Sequence, residues 1–377
     1  LLCFTVLKNQ GMSSEEEVRV RVVRELRHRP GLEASCVAVG QVFDEPSARV
    51  CVGTASGQVE VFPCSQLTRT EQWAACLTLS TKRASPVVAV LLAGAVSAQA
   101  REGSSELVAC TQDGHVAVFC DRHVVASFDA HAPLLSAALL PGPRGLSAVA
   151  TLDLESVVHV FSPPLGPRPL KLTPSLPLSS SSFLPCCLAS ASLPSLTCPS
   201  PSSPSSSPSP LSSCTRRYLL LGGKGVGYAH PSAPHLLAVA PLPSCAHSRV
   251  TALASGRLLE RGRDGRPGAV IGGSDGKLYE LQTVEGLEEC GDLGKPPVRL
   301  LVPLPLPSGD GDLLVCAGEW SGLLVFDCVR RCVVADISTA AWPVSVAVTV
   351  LPDPGTVLLV AILADYSVSC HVLQLDG

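Results

Sequence analysis

The chain has 377 residues, of which 46% are hydrophobic and 16% charged, with a formal net charge of −4. That apolar content can bury a large core, and the slight acidic excess points away from nucleic acid as a partner. Pro, Gly or charge breaks every apolar run short of the roughly 20 residues a spanning helix needs, so no transmembrane helix is expected.

The first stretch, LLCFTVLKNQG, carries its lysine after the apolar run, the reverse of a secretory signal. Met12 is the only methionine and opens MSSEEE, which reads as a natural start. Residues 1–17 are therefore expected to be disordered or misassigned, and the protein is expected in the cytoplasm. Over 18–26, Val18, Val20 and Val22 alternate with Arg19 and Arg21. A short capped helix is the alternative. The β-branched residues favour a strand, one that completes the last unit of a closed ring and removes an exposed sheet edge.

A phrase then recurs: apolar strand, tight polar turn, second apolar strand. It reads VCVGTASGQVEVF at 50–62, ELVACTQDGHVAVF at 106–119, AVIGGSDGKLYEL at 269–281 and LLVCAGEWSGLLVF at 313–326. Worn copies lie at 147–161, 218–230 and 358–372. Self-similarity at a period of about 40–50 residues is the mark of a β-propeller. Val50, Val52, Val59 and Val61 alternate with smaller or polar residues, the pattern of strands with one face buried. Gly57, Gly114, Gly276 and Gly322 sit where a tight hairpin favours positive φ. Another apolar run precedes most copies and a third often follows, which makes four-stranded blades. The fold class expected is all-β, a seven-bladed propeller with blades 1–3 over 18–171 and blades 4–7 over 217–377.

The segment 172–216 is set apart by Ser, Pro, Leu and Cys, with no charge from Leu172 to Thr215. Such a composition is expected to be disordered. It reads as an insertion between blades 3 and 4; a phosphorylatable docking loop is the alternative.

Catalytic motifs fail on context. Gly272-Gly273-Ser274-Asp275-Gly276 fits G-x-S-x-G, but a nucleophile elbow needs a helix after the turn and a strand follows here. Gly222-Gly223-Lys224-Gly225 lacks the hydroxyl residue that would hold magnesium. The nine histidines show no i, i+4 pair and no neighbouring carboxylate. Arg257, Arg261, Arg263 and Arg266 flank Glu260 and Asp264 in what reads as a solvated turn. Calcium loops of the D-x-D type are eroded: Asp44, Glu45, Asp264, Asp310 and Asp312 remain, without three spaced oxygen ligands in one loop. The seventeen cysteines form no C-x-x-C pair, and Cys36, Cys51, Cys110, Cys316 and Cys370 fall in apolar strands as small hydrophobes. Cys186, Cys187 and Cys198 lie in the low-complexity segment. Val39, Val90, Ala252 and Val346 on the inner strands are apolar or small, against a polar ligand site in a central channel. No catalytic, cofactor-binding or metal-ligating residue is assigned, and no enzyme is expected.

The pattern VVREL…CVAVGQVFDEPSARVCVGTASGQVEVF followed by ELVACTQDGHVAVF resembles the integrin-alpha FG-GAP repeat-containing protein 2 family. DLLVCAGEWSGLLVFDCVRRCVVADIS and VLLVAILADYSVSCHV are similar to that family's last two blades. The resemblance spans 18–90, 106–161 and 250–373; it departs at the segment 172–215, at the eroded D-x-D positions and in lacking a longer C-terminal tail. It implies a non-enzymatic subunit of the KICSTOR assembly, which holds the GTPase-activating complex for the Rag GTPases at the lysosome and restrains TOR signalling when amino acids are scarce. The partners it implies are a second propeller, kaptin, and a very large scaffold subunit. A propeller subunit of a ciliary coat of the Bardet–Biedl type is the alternative.

Overall fold

The computed structural model describes residues 19–28, 33–43, 45–67, 73–94, 96–97, 105–141, 147–162, 166–170, 173–174, 186–194, 215–229, 235–242, 248–258, 268–283, 286–306, 308 and 311–376. β1 (Arg19–His28) comes first in sequence and is held by the last sheet. Blade 1 contains β2 (Ala34–Gln41), β3 (Ala48–Thr54), β4 (Gln58–Pro63) and β5 (Leu77–Ser80), with the short helix α1 (Cys64–Leu67) before β5. Blade 2 contains β6 (Val87–Ala93), β7 (Glu106–Thr111), β8 (His115–Cys120) and β9 (His123–Asp129). Blade 3 contains β10 (Leu134–Pro141), β11 (Ser147–Asp153), β12 (Val158–Ser162) and β13 (Gly166–Leu170).

Blade 4 contains β14 (Thr173–Pro174), β15 (Cys187–Pro194), β16 (Thr215–Gly222), β17 (Gly225–Ala229) and β18 (His235–Pro241). Blade 5 contains β19 (Val250–Gly256), β20 (Gly268–Gly273), β21 (Lys277–Thr283) and β22 (Gly286–Asp292). Blade 6 contains β23 (Val298–Pro305), β24 (Asp312–Gly318), β25 (Gly322–Asp327) and β26 (Cys332–Ser338). Blade 7 contains β27 (Pro343–Val350), β28 (Thr356–Leu363) and β29 (Val368–Asp376), with β1 as its fourth strand.

Apart from β14, successive strands within a blade pair antiparallel, as short hairpins require. The first strands of the blades meet in ring order, β2 against β6 and finally β27 back against β2. The chain is therefore a seven-bladed β-propeller, as the repeats indicate. β1 pairs antiparallel with β29 from Arg19–Asp376 to His28–Val368, with a bulge between Val22 and Arg24. The alternating Val and Arg residues thus form a closing strand and not a helix.

Seven apolar clusters hold the ring, one between each pair of adjacent blades. β24 shows how one strand serves two of them. Leu313, Val315 and Ala317 face blade 7, while Leu314 and Cys316 face blade 5. The second strands are thus buried on both faces, which corrects the one-face reading of 50–62: Val50 and Val52 pack toward blade 7 and Cys51 toward blade 2. Apolar residues must then run on without polar alternation, as they do in TVLLVAIL of β28. The cysteines follow from the same demand. Cys36, Cys51, Cys110, Cys316 and Cys370 are buried, and no disulfide joins the described cysteines.

The segment 172–216 departs from expectation. Cys187–Pro194, expected to be disordered, is β15, the inner strand of blade 4, paired with β16 from Cys187–Gly222 to Pro194–Thr215. Leu188 packs toward blade 3, and Ala191 and Cys187 toward blade 5, so a few apolar positions suffice where both neighbours are already in place. Thr173 and Pro174 add a two-residue parallel edge to β18. Residues 172, 175–185 and 195–214 of the segment, and the N-terminal residues 1–17, lie outside the described residues.

Blade 7 buries an imidazole. His371 on β29 is fully buried; its Nε2 meets Ser369 Oγ at 2.9 Å, and its Nδ1 finds no partner among the described residues. Burial disfavours the charged ring and lowers its pKa to about 4. The unfolded chain binds this proton from the ordinary imidazole value downward and the native ring does not, so stability falls as pH drops from about 6.5 to 4. Wild type is expected to lose about 3 kcal/mol relative to His371→Leu between pH 7 and pH 4 in urea unfolding. Parallel pH profiles for the two proteins would contradict a neutral buried ring.

Candidate interaction face

In five of the blades the turn between the second and third strand lies beside the residue that leads into the blade's first strand. Ala55 N donates to Glu33 O at 2.9 Å, Gln112 N to Pro86 O at 2.7 Å, Leu154 N to Pro133 O at 2.9 Å, Ser274 N to Arg249 O at 2.8 Å and Ala364 N to Trp342 O at 2.8 Å. These repeated bonds gather turns and strand starts on one face of the ring. The residue after the outer strand then bonds back to the turn glycine: Thr81 N to Gly57 O and Ala130 N to Gly114 O. That close approach explains the glycine. Gly57 has φ +81°, and a Cβ there would collide with Arg83 O; at Gly114, φ +99°, it would lie 2.6 Å from Ala132 O.

A bulge marks the same end of six inner strands, at Ser35, Val88, Leu135, Thr251, Arg299 and Val344. Bulges re-aim side chains. Ser35 Oγ donates to Val87 O of blade 2 and Thr251 Oγ1 to Val298 O of blade 6, so each bulge ties its blade to the next. Between blades 7 and 1 the tie is Val37 N to Ser345 Oγ at 3.1 Å. Two bulged residues without such a partner face solvent, Leu135 at 42% exposed and Val344 at 44%, whereas Val88 packs against the cluster between blades 2 and 3. Val90, Ala252 and Val346, read from the sequence as channel positions, are instead buried between blades, and Val39 packs against the cluster between blades 7 and 1.

Exposed apolar side chains collect on this face. Blade 7 presents Trp342, Val344 and Tyr366, and blade 3 presents Leu135 and Leu154. Tyr366 is the instructive one. Its amide donates to Leu363 O, as those of Gly57, Gly114 and Gly276 donate to Thr54, Thr111 and Gly273 in blades 1, 2 and 5. Its φ of 61° is the conformation those glycines provide. A bulky residue there costs about 1–2 kcal/mol, yet the ring is left in solvent. Sequence spacing hides this, because the turn phrase in blade 7 contains no glycine to align.

Polar residues that could do chemistry are absorbed by structure. Ser274 is a hairpin residue whose Oγ accepts from Arg249 N at 2.9 Å. The histidines do find carboxylates, against expectation: His115 Nδ1 is 2.9 Å from Asp129 Oδ1, and His159 Nε2 is 2.8 Å from Asp153 Oδ2. The reason is strand pairing, since His115 lies directly opposite Asp129 across a hairpin. Asp153 also accepts from Val157 N, so that pair fastens a turn. Among the described residues no three His, Cys, Asp or Glu gather as a metal site. Asp312 accepts from Arg257 N at 2.7 Å and Glu45 pairs with Arg49; Asp44, Asp264 and Asp310 lie outside the described residues. No helix among the described residues is long and apolar enough to cross a membrane.

No protein-family model matches the chain, and no curated protein does. Among solved structures it is similar to the BBS1N chain of a crystal structure of BBS1N in complex with ARL6DN. The TM-score is 0.60 at 9% identity, over 94% of this chain and 98% of that one. At that identity the likeness is one of fold, and it agrees with the propeller architecture.

The turn geometry makes a paired test. Gly294 also has positive φ, +62°, but a Cβ there meets nothing within 4 Å. Gly294→Ala is expected to cost about 1 kcal/mol and Gly57→Ala about 3 kcal/mol in urea unfolding. Equal losses would remove the close approach of Arg83 O as the reason for glycine.

Proposed function

We propose that this chain is a non-enzymatic propeller subunit that binds protein partners through its turn-bearing face. Tyr366 carries the proposal: it keeps a left-handed backbone at a turn where blades 1, 2 and 5 use glycine and blade 3 the small Ser156, and exposes its ring beside the segment holding Trp342. Strain of this kind persists where function retains it. Trp and Tyr dominate binding energy at interfaces, and adjacent exposed aromatics are what a docking patch needs. The absorbed state of Ser274 and the two His–Asp pairs favours a binding role over catalysis.

The assembly we favour is of the KICSTOR type, with a kaptin-like propeller and a giant scaffold subunit as partners and a peripheral place at the lysosomal membrane. Its support is the sequence resemblance of the first and last blades. A ciliary coat of the Bardet–Biedl type is the second reading, supported by the similarity of fold to BBS1N, whose solved complex contains ARL6DN.

Tagged wild-type protein and Tyr366→Gly should be purified from the protein's own cells and their partners compared by mass spectrometry. Kaptin-like and giant scaffold subunits are expected with wild type and reduced several-fold with Tyr366→Gly, while the variant's stability is unchanged or raised by up to about 1 kcal/mol. A ciliary coat set would replace the first assembly with the second. Equal recovery of partners by both proteins would take the interface away from Tyr366.

A further inference from the structure

Cys186 and Cys187 stand at the start of β15, at the positions Ser35 and Cys36 hold in blade 1. In blade 1, Ser35 Oγ and Cys36 Sγ both donate to Val87 O, at 2.5 and 3.4 Å. The bulge there aims two consecutive side chains at one carbonyl. Blade 4 has sulfur in both places and repeats the first of these bonds: Cys186 Sγ donates to Val250 O at 3.1 Å, the carbonyl equivalent to that of Val87. A Cβ on Gly222, opposite Cys187, would meet both Cys187 Sγ and Val250, as one on Gly53 would meet Cys36 Sγ and Val87. The two thiols thus lie on one side of the strand. Cys186 is exposed and Cys187 half-buried.

The surroundings separate the two sulfurs. A hydrogen bond from Cys187, with help from Arg299 and Arg249 against the opposing effect of burial, brings the Cys186 thiol down to about 7. Cys187 is pushed well up by the same bond and by burial, so it keeps its proton. Arg249 is exposed and has no acidic partner among the described residues, whereas Arg299 shares its charge with Glu319 at 2.7 Å. The buried thiols Cys36, Cys64 and Cys290 are pushed up to about 12, out of reach of neutral-pH chemistry.

We propose that the Cys186–Cys187 pair is a thiol–disulfide exchange site for an anionic disulfide of the glutathione class. The Cys186 thiolate attacks one sulfur of oxidised glutathione, a new S–S bond forms and the original S–S bond breaks. The departing glutathione thiolate takes a proton from water; Cys186 is oxidised as that half is reduced. Cys186 gives up its bond to Val250 O on ionising, and Cys187 is the hydrogen-bond donor that steadies the resulting thiolate. Arg249 and Arg299 offer counter-charge to the carboxylates of the incoming tripeptide. The adduct would place a bulky anion on the turn-bearing face, beside the start of the inner strand.

The full chain should be incubated with oxidised glutathione at pH 7 and the adducts located by peptide fragmentation. Cys186 is expected to react about ten-fold faster than exposed Cys76, and Arg249→Gln to slow it about three-fold. Cys186→Ser should leave no fast site; if that variant does not fold, the site-resolved rates in wild type decide alone. Equal rates at Cys186, Cys76, Cys120 and Cys332, or a rate indifferent to Arg249→Gln, would overturn the proposal.

Discussion

Everything in this fold depends on the pairing of β1 with β29. A propeller blade has an outer edge in solvent but buries both sheet faces against its neighbours, so the first and last blades must meet. Residues 19–28 and 343–376 build one blade from opposite ends of the described chain. That pairing registers blade 7 for contact with blade 1, where Leu26 of β1 joins Ala34, Val50, Leu358 and Cys370 in one cluster. On the other side Val20 and Val22 of the same strand pack against the cluster shared with blade 6. One strand thereby contributes to two of the seven interfaces. An open ring would leave two apolar blade faces in water.

The same constraint explains the composition. Double-sided burial demands continuous small or branched apolar residues in the second strands, which accounts for the Val, Leu, Ala and Cys runs. Several of the polar groups that survive inside fasten turns or join blades. Glu106 is fully buried and accepts from Val96 N and Ser97 N, each at 2.6 Å. Asp327 receives Val329 N and Arg330 N at the third hairpin of blade 6. The turn-bearing face carries the departures: a left-handed tyrosine in blade 7, exposed leucines in blade 3 and a pair of thiols in blade 4. Departures from local rules concentrate where function acts.

The propeller was legible because its signal repeats: Gly57, Gly114 and Gly276 punctuate strands in the same way, and the Val–Arg alternation marks the closing strand. Three things were not legible. β15 is written in Cys, Ala, Ser, Leu and Pro, and only the waiting edge of β16 and the flanking blades make it a strand. The His115–Asp129 pair depends on strand register across a hairpin, which places residues fourteen apart in sequence face to face. The site on the turn-bearing face has no motif, because Tyr366 announces itself by a backbone angle and the paired thiols by the Val250 carbonyl of the next blade.

Amide hydrogen exchange along β1 tests the closed ring most directly. If β1 is the fourth strand of blade 7, its amides bonded to β29 should exchange as slowly as those of β28, because opening them opens the ring. Exchange of all β1 amides within the dead time, with β28 still protected, would contradict the account.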